Sequence, residues 1–301
     1  MNRLNLMVCM ISLMLLGQSS RVESQIYSIH PDGTGLKVEV EAGIEPGLRI
    51  YGSPDVSPNG ERLIFDAFPR MFFARFAKIL VVHLEGESQG QAENFDCGNF
   101  PVWSPDGKRI AFQICAENPL NVEPGVWLMD ADGDNAKRLS DGKQPRWSPD
   151  GKSVICTFLE RGVRFAKVDV ETNESKPFLD QFQHEEPIRF SSNGTRVLAH
   201  VRRHGKSQLI SMAPNGAEDS IVELSDSPVA FPVFSPNGKW VAFASENAAD
   251  GKFIQIVATD GQVAPKKLTF APAASKEDLC WHPDGKRILF ISDQVLKGER
   301  P

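Results

Sequence analysis

The stretch PVWSPDGKRIAF, from Pro101 to Phe112, decides the fold because the chain returns to the same pattern again and again. Measured at the proline of SPDG, the copies stand at positions 58, 105, 149, 192, 236 and 283, so they lie 43 to 47 residues apart. A period of this size indicates a repeat architecture in which each unit is one propeller blade. The six copies are DVSPNGERLIF (Asp55–Phe65), VWSPDGKRIAF (Val102–Phe112), RWSPDGKSVIC (Arg146–Cys156), RFSSNGTRVLA (Arg189–Ala199), VFSPNGKWVAF (Val233–Phe243) and CWHPDGKRILF (Cys280–Phe290).

Each copy has the chemistry of a β-hairpin turn. Proline sets φ for the first turn position, a short polar side chain accepts local backbone hydrogen bonds, and glycine supplies the left-handed conformation. Asp and Asn replace one another at the polar position, so we interpret the acids as turn residues, not as catalytic groups or metal ligands. The predicted turn pairs are Asn59 and Gly60, Asp106 and Gly107, Asp150 and Gly151, Asn193 and Gly194, Asn237 and Gly238, and Asp284 and Gly285.

A second repeat, strand–turn–strand, lies between the copies of the first, as in VWLMDADGDNAKRLS (Val126–Ser140). One full repeat is therefore four antiparallel strands, A to D. The segment Ile26–Val40 is a C–D unit with no A–B before it, and Trp281–Ser292 is an A–B unit with no C–D after it. The sequence thus predicts an all-β, six-bladed β-propeller of four-stranded antiparallel blades, closed where the N-terminal strands join the C-terminal blade. An open solenoid would leave both half units unexplained.

These repeats resemble the PD40, or TolB-like, family of WD40-like propellers. The resemblance rests on WSPDGKRIAF (Trp103–Phe112) followed by Val126–Ser140, and it covers about Gln25 to Ser292. It implies a periplasmic or secreted binding module. In TolB itself an α/β domain precedes the propeller and the protein works in an envelope complex with a peptidoglycan-associated lipoprotein. Here the first blade strand begins near Ile26, which leaves no room for that domain, so the resemblance extends to the propeller alone.

The first 24 residues have the pattern of a signal peptide. Arg3 precedes an apolar run from Leu4 to Leu16, which is shorter than the ~20 residues that span a bilayer. A buried N-terminal helix is the alternative interpretation. We predict a signal peptide at 1–24, a single propeller domain at 25–301, no transmembrane segment after signal removal, and a periplasmic or secreted location. The net charge of −6, without a block of Lys or Arg, argues against nucleic acid as a partner.

The cysteines and histidines offer few chemical sites. Export permits disulfides, and Cys97 and Cys115 flank one predicted hairpin. If Ser104 faces Arg109 across the turn, Cys115 faces Gly98, the residue after Cys97. The sequence is therefore compatible with a disulfide between Cys97 and Cys115 and with two free thiols. The six histidines do not have metal-ligand spacing, since the closest pair on one segment lies on a predicted strand and loop. No metal and no cofactor are expected.

The SPDG and C–D turns share one face of the propeller, so the B–C loops and the D-to-A crossovers share the other. We call the first the turn face and the second, around the channel opening, the mouth. Variable side chains near the start of strand A predict a ligand site at the mouth; they are Phe100, Gln144, Arg146, Glu186, Arg189, Phe231 and Asp278. The loop FPRMFFARFAKIL (Phe68–Leu80) adds aromatic and arginine side chains typical of interaction hot spots; they are Phe72, Phe73, Arg75 and Phe76. Alternatively, this loop folds down and fills its own blade.

Two of the mouth residues, Arg146 and Arg189, occupy a position that is apolar in two other copies, which carry Val102 and Val233. A pair of guanidinium groups there would receive a carboxylate or a sugar acid. The alternative is that they pair with Glu186 or Asp278 across the channel.

The sequence favours a non-enzymatic, exported module that binds a protein or a cell-envelope component, with a peptide or a glycan in the central channel as further ligand classes. No catalytic motif is recognised, and no hydrolase domain follows the repeats, as it does in prolyl oligopeptidase-like enzymes whose catalytic domain is covered by a similar propeller. The alternatives are a propeller-based carbohydrate-active enzyme, such as a polysaccharide lyase, and a purely structural scaffold.

Overall fold

The protein is described from a computed structural model, which covers residues 23–69, 74–159, 163–182, 188–203, 205–225, 229–247, 251–268 and 279–292. In this part of the chain almost all regular structure is β-strand, with short 3-10 helices at Ala74–Phe76 and Glu218–Ser220. In chain order the strands are β1 (Gln25–Ile29), β2 (Lys37–Val40), β3 (Leu48–Val56), β4 (Arg62–Pro69), β5 (Lys78–His83), β6 (Ala92–Cys97), β7 (Asn99–Trp103), β8 (Arg109–Ile114), β9 (Gly125–Asp130), β10 (Lys137–Ser140), β11 (Lys143–Trp147), β12 (Ser153–Phe158), β13 (Arg164–Asp169), β14 (Ser175–Phe178), β15 (Arg189–Phe190), β16 (Val197–Arg203), β17 (Lys206–Met212), β18 (Val222–Ser225), β19 (Val229–Phe234), β20 (Trp240–Asn247), β21 (Gly251–Ala258), β22 (Lys266–Lys267), β23 (Cys280–Trp281) and β24 (Ile288–Ser292).

The described strands form six antiparallel sheets of four strands each, which confirms the predicted six-bladed propeller. Blades 1 to 5 each use four consecutive strands, from β3–β6 through to β19–β22. Blade 6 has the order β2-β1-β24-β23, so both ends of the described chain contribute to it. The pairs Gln25↔Ser292 and Ile29↔Ile288 mark the two ends of this ladder. The predicted closure is therefore confirmed, with strand pairing that holds the ring together.

The hydrophobic core is divided into six clusters, and each cluster lies between two neighbouring blades. At the closure, Ile26 and Leu289 of blade 6 pack against Leu63 and Phe65 of blade 1. Since every blade is covered on both faces, its middle strands carry apolar side chains on both faces, as runs such as RIAF indicate. The ring depends on this burial, because no blade has a core of its own.

The SPDG turns join strand A to strand B in each blade. Their six glycines all have positive φ, between 66° and 83°. In blade 2 the Ser104 hydroxyl donates to Asp106 Oδ1 at 2.6 Å, and the Arg109 amide donates to Ser104 Oγ at 2.9 Å. Blades 1, 3, 4 and 5 repeat the hydroxyl contact with Asn59, Asp150, Asn193 and Asn237. The short polar side chain thus serves the turn itself.

Candidate functional site

A central channel with a volume of about 460 Å³ runs between the innermost strands, and all six blades line it. Its lining includes the tryptophans Trp103, Trp147 and Trp281 and the prolines of the SPDG turns. The volume lies in the range of sites for small ligands, roughly 300–1,000 Å³. The channel is therefore a concave site built from one strand of every blade.

One position of the repeat, three residues before the SPDG proline, contributes a side chain from each blade to the channel wall. Only three of the six are charged, and the sequence analysis had found just the two arginines among them. We call this set the ring layer; it consists of Asp55, Val102, Arg146, Arg189, Val233 and Cys280. Asp55 lies in blade 1, Arg146 in blade 3 and Arg189 in blade 4. Blade 1 is therefore opposite the blade of Arg189 and two blades away from the blade of Arg146. In the described part of the chain, the channel wall thus carries two positive charges and one negative charge.

Asp55 is the ring-layer residue that the sequence analysis missed. Its carboxylate accepts the Trp103 amide at 2.8 Å from the neighbouring blade. Enclosure by protein raises the pKa of Asp55 to about 6, although hydrogen bonds from the Trp103 and Val56 amides and the charges of Arg146 and Arg189 oppose the shift. Some of the side chain is still accessible from the channel. The sequence feature that could have indicated Asp55 is its alignment with Arg146 and Arg189 at the same repeat position.

Arg146 and Arg189, both predicted for the mouth, line the channel. Arg146 is buried, and its Nη1 donates to the carbonyl of Pro145 at 2.7 Å. Arg189 is partly exposed, and its Nη1 lies 3.5 Å from the carbonyl of Ile188. The alternative pairing partners, Glu186 and Asp278, lie outside the described residues. Each arginine thus lines the channel and is hydrogen-bonded to the carbonyl of the residue before it.

Strand A carries a β-bulge near the mouth in blades 1, 2, 3 and 5, where the pairing register with strand B shifts. Five residues before the SPDG proline, the bulge residue has a left-handed φ although it is not glycine: Ser53 (46°), Phe100 (52°), Gln144 (48°) and Phe231 (55°). Three of these four are predicted mouth residues. Bulges redirect side chains, and left-handed φ at residues other than glycine is a strained conformation typical of functional sites.

Polar side chains from strand B of the preceding blade hold two of these bulges. Asp66 accepts the Phe100 amide at 2.8 Å, and Gln113 accepts the Gln144 amide through Oε1 at 3.0 Å. Asp66 and Gln113 follow the last apolar residue of the repeat in their own blades. Neither residue is recognisable within a single repeat, because the partners belong to the next repeat and lie 34 and 31 residues further along.

The aromatic loop is only partly described. Phe72 and Phe73 lie outside the described residues. Arg75 and Phe76 lie in the 3-10 helix Ala74–Phe76, where the Arg75 guanidinium lies 4.9 Å from the centre of the Phe76 ring. Arg75 also pairs with Glu117 of the neighbouring B–C loop at 2.6 Å, and Phe76 is 42% exposed. This end of the loop therefore presents an aromatic ring and a cation to solvent.

The cysteines are all free thiols in the described part of the chain. The disulfide considered between Cys97 and Cys115 is not formed there. The Cys97 sulfur donates to the carbonyl of Arg75 at 3.4 Å, and the Cys115 sulfur accepts from Asn99 Nδ2 at 3.3 Å. The bulge in β7 shifts the pairing register by one residue, so that Asn99 faces Gln113. The predicted register, in which Cys115 faces Gly98, is therefore not the one observed.

Other chemical groups form no second site in the residues described. No three His, Cys, Asp or Glu side chains among them are arranged to hold a metal ion. One Gly-x-Ser-x-Gly pattern, GESQG at 86–90, was overlooked in the sequence and lies in the turn between β5 and β6. A nucleophile elbow joins a strand to a helix. This turn joins two antiparallel strands, with the Gly90 amide bonded to the His83 carbonyl, so it is a hairpin.

Within the described ranges, no helix has the length and apolar character needed to cross a membrane.

A family model described as the TolB β-propeller domain (PD40) matches residues 32–263. No curated protein matches the chain by sequence. Among solved structures, a putative TolB from Agrobacterium tumefaciens is 19% identical with a TM-score of 0.70, covering 90% of this chain and 98% of that one. TolB from Acinetobacter baumannii is 20% identical with a TM-score of 0.61, covering 94% and 67%. An oligogalacturonate lyase in complex with manganese is 14% identical with a TM-score of 0.51, covering 86% and 68%. Such identities establish a shared fold alone.

Proposed function

The chain belongs to the TolB β-propeller domain family, and on that premise we propose that it is a non-enzymatic binding module that receives a protein or cell-envelope partner at the mouth. We further propose that residues 1–24 export it, so that the propeller, residues 25–301, acts in the periplasm or after secretion. The TolB-like fold of the solved neighbours supports a partner of this kind.

The observation that carries the proposal is the contrast between the regular turn face and the strained mouth. At the mouth, Phe100, Gln144 and Phe231 lie on bulges with left-handed φ, and in the described blades this position varies between Ser, Phe and Gln. Strain costs stability, and it is retained where side chains must be presented in a given direction. Phe100 and Phe231 are half-buried, whereas Phe76 beside Arg75 is exposed. Aromatic and arginine side chains are the usual anchors of a protein interface.

The carbohydrate-active alternative has weaker support. The manganese-bound lyase shares only the fold, and the ring layer offers one carboxylate, two guanidinium groups and a thiol. We therefore place a binding role first. Turnover of an oligogalacturonate by the purified protein, lost in Arg146→Val, would overturn that order.

The test is affinity capture from envelope extract with the purified exported protein and with a Phe100→Gly/Phe231→Gly variant. Glycine suits the left-handed φ at both positions, so the variant loses two aromatic rings without new backbone strain. We expect partner recovery to fall by at least about tenfold, as for interface hot spots.

The matched control is a Lys108→Ser/Lys239→Ser variant, which changes two exposed residues of the same blades on the turn face. We expect it to capture as the unchanged protein does. Equal loss in both variants, or equal recovery with all three proteins, would contradict the assignment of the mouth. A Phe72→Ser/Phe73→Ser variant tests the predicted contribution of the aromatic loop.

A further inference from the structure

We propose that the ring layer is a carboxylate-binding site, in which Arg146 and Arg189 hold an acidic side chain or the C-terminal carboxylate of a peptide segment inserted into the channel. This inference rests on the proposed function and specifies that the bound segment of the partner carries a carboxylate.

The placement of the two arginines is the first argument. They belong to adjacent blades at the same repeat position, so their guanidinium groups project from neighbouring parts of the wall into one channel. Arg146 is 9% exposed, and its tether to the Pro145 carbonyl holds the side chain along the wall. Guanidinium groups held in this way are suited to bind a carboxylate through paired hydrogen bonds, because little rotamer entropy is then lost on binding.

The charge balance is the second argument. Among the described residues, the channel lining carries Asp55, Arg146 and Arg189 as its charged side chains, which gives a net charge of +1 when the acid is ionised. The whole chain has a net charge of −6. A positive channel in an acidic protein favours an anionic ligand locally. The rest of the described wall consists of apolar residues, a cysteine and five serines.

The same wall favours a peptide over a sugar acid. A uronate presents several hydroxyl groups, and each of them would need a polar partner or lose its water. Beside its charged members the ring layer itself offers the apolar Val102 and Val233, and Trp147 follows Arg146 in the channel wall. An acidic side chain carries its carboxylate on an apolar stem, which these residues would cover.

Asp55 sets the pH dependence of the site. The groups that face it are Arg146, Arg189 and the Trp103 amide, and Cys280 is the other titratable ring-layer residue. The pKa of Asp55 is raised to about 6, so its negative charge is lost as the pH falls through that value. The channel charge then rises to +2, and carboxylate affinity should increase between about pH 7 and pH 5, above the range in which the ligand itself protonates.

The experiment uses the indole signals of the full-length exported protein in NMR spectra. Three tryptophans line the channel, whereas Trp127 and Trp240 lie outside its lining and serve as internal controls. The probes are an acetylated and amidated Gly-Glu-Gly-Glu-Gly peptide, its glutamine counterpart, and trigalacturonate. We expect the glutamate peptide to shift the signals of Trp103, Trp147 and Trp281, and the glutamine peptide to leave them unchanged.

The variants are Arg146→Val and Arg189→Val, which install the residue that blades 2 and 5 carry at this position, so the fold has a precedent for each. We expect each to weaken the glutamate peptide by roughly ten- to a hundredfold, as for a lost hydrogen bond between charged groups. The control Arg164→Gln removes an exposed arginine from blade 3 and should bind normally. Asp55→Asn should remove the pH dependence between about pH 5 and pH 7.

Equal shifts with both peptides, or none with either, would overturn the carboxylate site. Shifts with trigalacturonate but not with the glutamate peptide would overturn the peptide assignment and indicate a sugar acid. If partner capture at the mouth succeeds while these shifts fail, the binding function stands and only the ring-layer chemistry is wrong. If capture fails as well, the proposed function fails with it.

Discussion

The two faces of the propeller use the same backbone conformation for opposite purposes. In the SPDG turns of the turn face, glycine takes the left-handed φ, and in blade 2 a serine hydroxyl and a short polar side chain complete the turn. At the mouth, residues with side chains, Gln144 and Phe231 among them, take nearly the same φ. Glycine accepts this conformation without cost, whereas other residues lose about 1–2 kcal/mol. The turn face is therefore optimised for stability, and the mouth carries strain that the rest of the ring must offset.

The ring layer extends this comparison to electrostatics. The turn acids Asp106 and Asp150 accept hydrogen bonds from Ser104 and Ser148, which lower the pKa of each carboxyl group. The pKa of Asp55 in the channel is raised instead, because enclosure outweighs its hydrogen bonds. An acid held at a cost to stability marks a functional position more strongly than one that stabilises its own turn.

The largest expected effect is that Asp55→Asn stabilises the protein at neutral pH. The folded-state pKa of about 6 lies above the reference value of 3.8, so the unfolded chain ionises first and the wild type loses stability as the pH rises between those values. About two pKa units correspond to at most about 3 kcal/mol, reduced where channel water reaches the carboxylate. Urea unfolding at about pH 8 and pH 4 measures the difference between the two proteins. It should be large at the higher pH and vanish at the lower, and a variant less stable than wild type at pH 8 would contradict this account.

The next effect tests the turn face. Gly107→Val places a β-branched residue at a φ of 69°, while the added Cβ would have room, since its nearest neighbour is Pro58 Cδ at 3.4 Å. Backbone strain alone should then destabilise the protein by roughly 1–2 kcal/mol. The control Gly107→Asn, a residue that tolerates this conformation, should cost less. A denaturation midpoint that Val leaves unchanged would show that the turn does not need glycine.

The smallest effect has the opposite sign and belongs to the mouth. Gln144→Gly keeps the amide that donates to Gln113 and removes the strain of a φ of 48°. After the entropic cost of glycine in the unfolded chain, roughly 0.5–1 kcal/mol, the net change should be a gain of less than about 1 kcal/mol. Thermal unfolding beside Gln144→Ala, which retains the strain, measures it. If Gly proved less stable than Ala, the strain at the mouth would be smaller than its φ indicates.

The sequence by itself determined the ring. A hairpin turn is specified by about four consecutive residues, so each SPDG turn can be recognised from local sequence alone. The spacing of these turns defines the blades. The repeat pattern also left one incomplete blade at each end, Ile26–Val40 and Trp281–Ser292. In the structure β1 pairs with β24, which joins these two segments into one blade. It found Arg146 and Arg189 as well, because both stand out against valine within an aligned repeat.

The tertiary structure alone decided the site. Asp55 lies 91 and 134 positions before Arg146 and Arg189, and only closure of the ring brings the three side chains to one layer of the channel. The amides of Phe100 and Gln144 donate to side chains of the preceding blade. The sequence of a single repeat does not reveal these hydrogen bonds, because donor and acceptor belong to different repeats. Local chemistry specifies turns and strands, whereas the charge, strain and pKa of the channel arise from contacts between blades, which exist only in the closed ring.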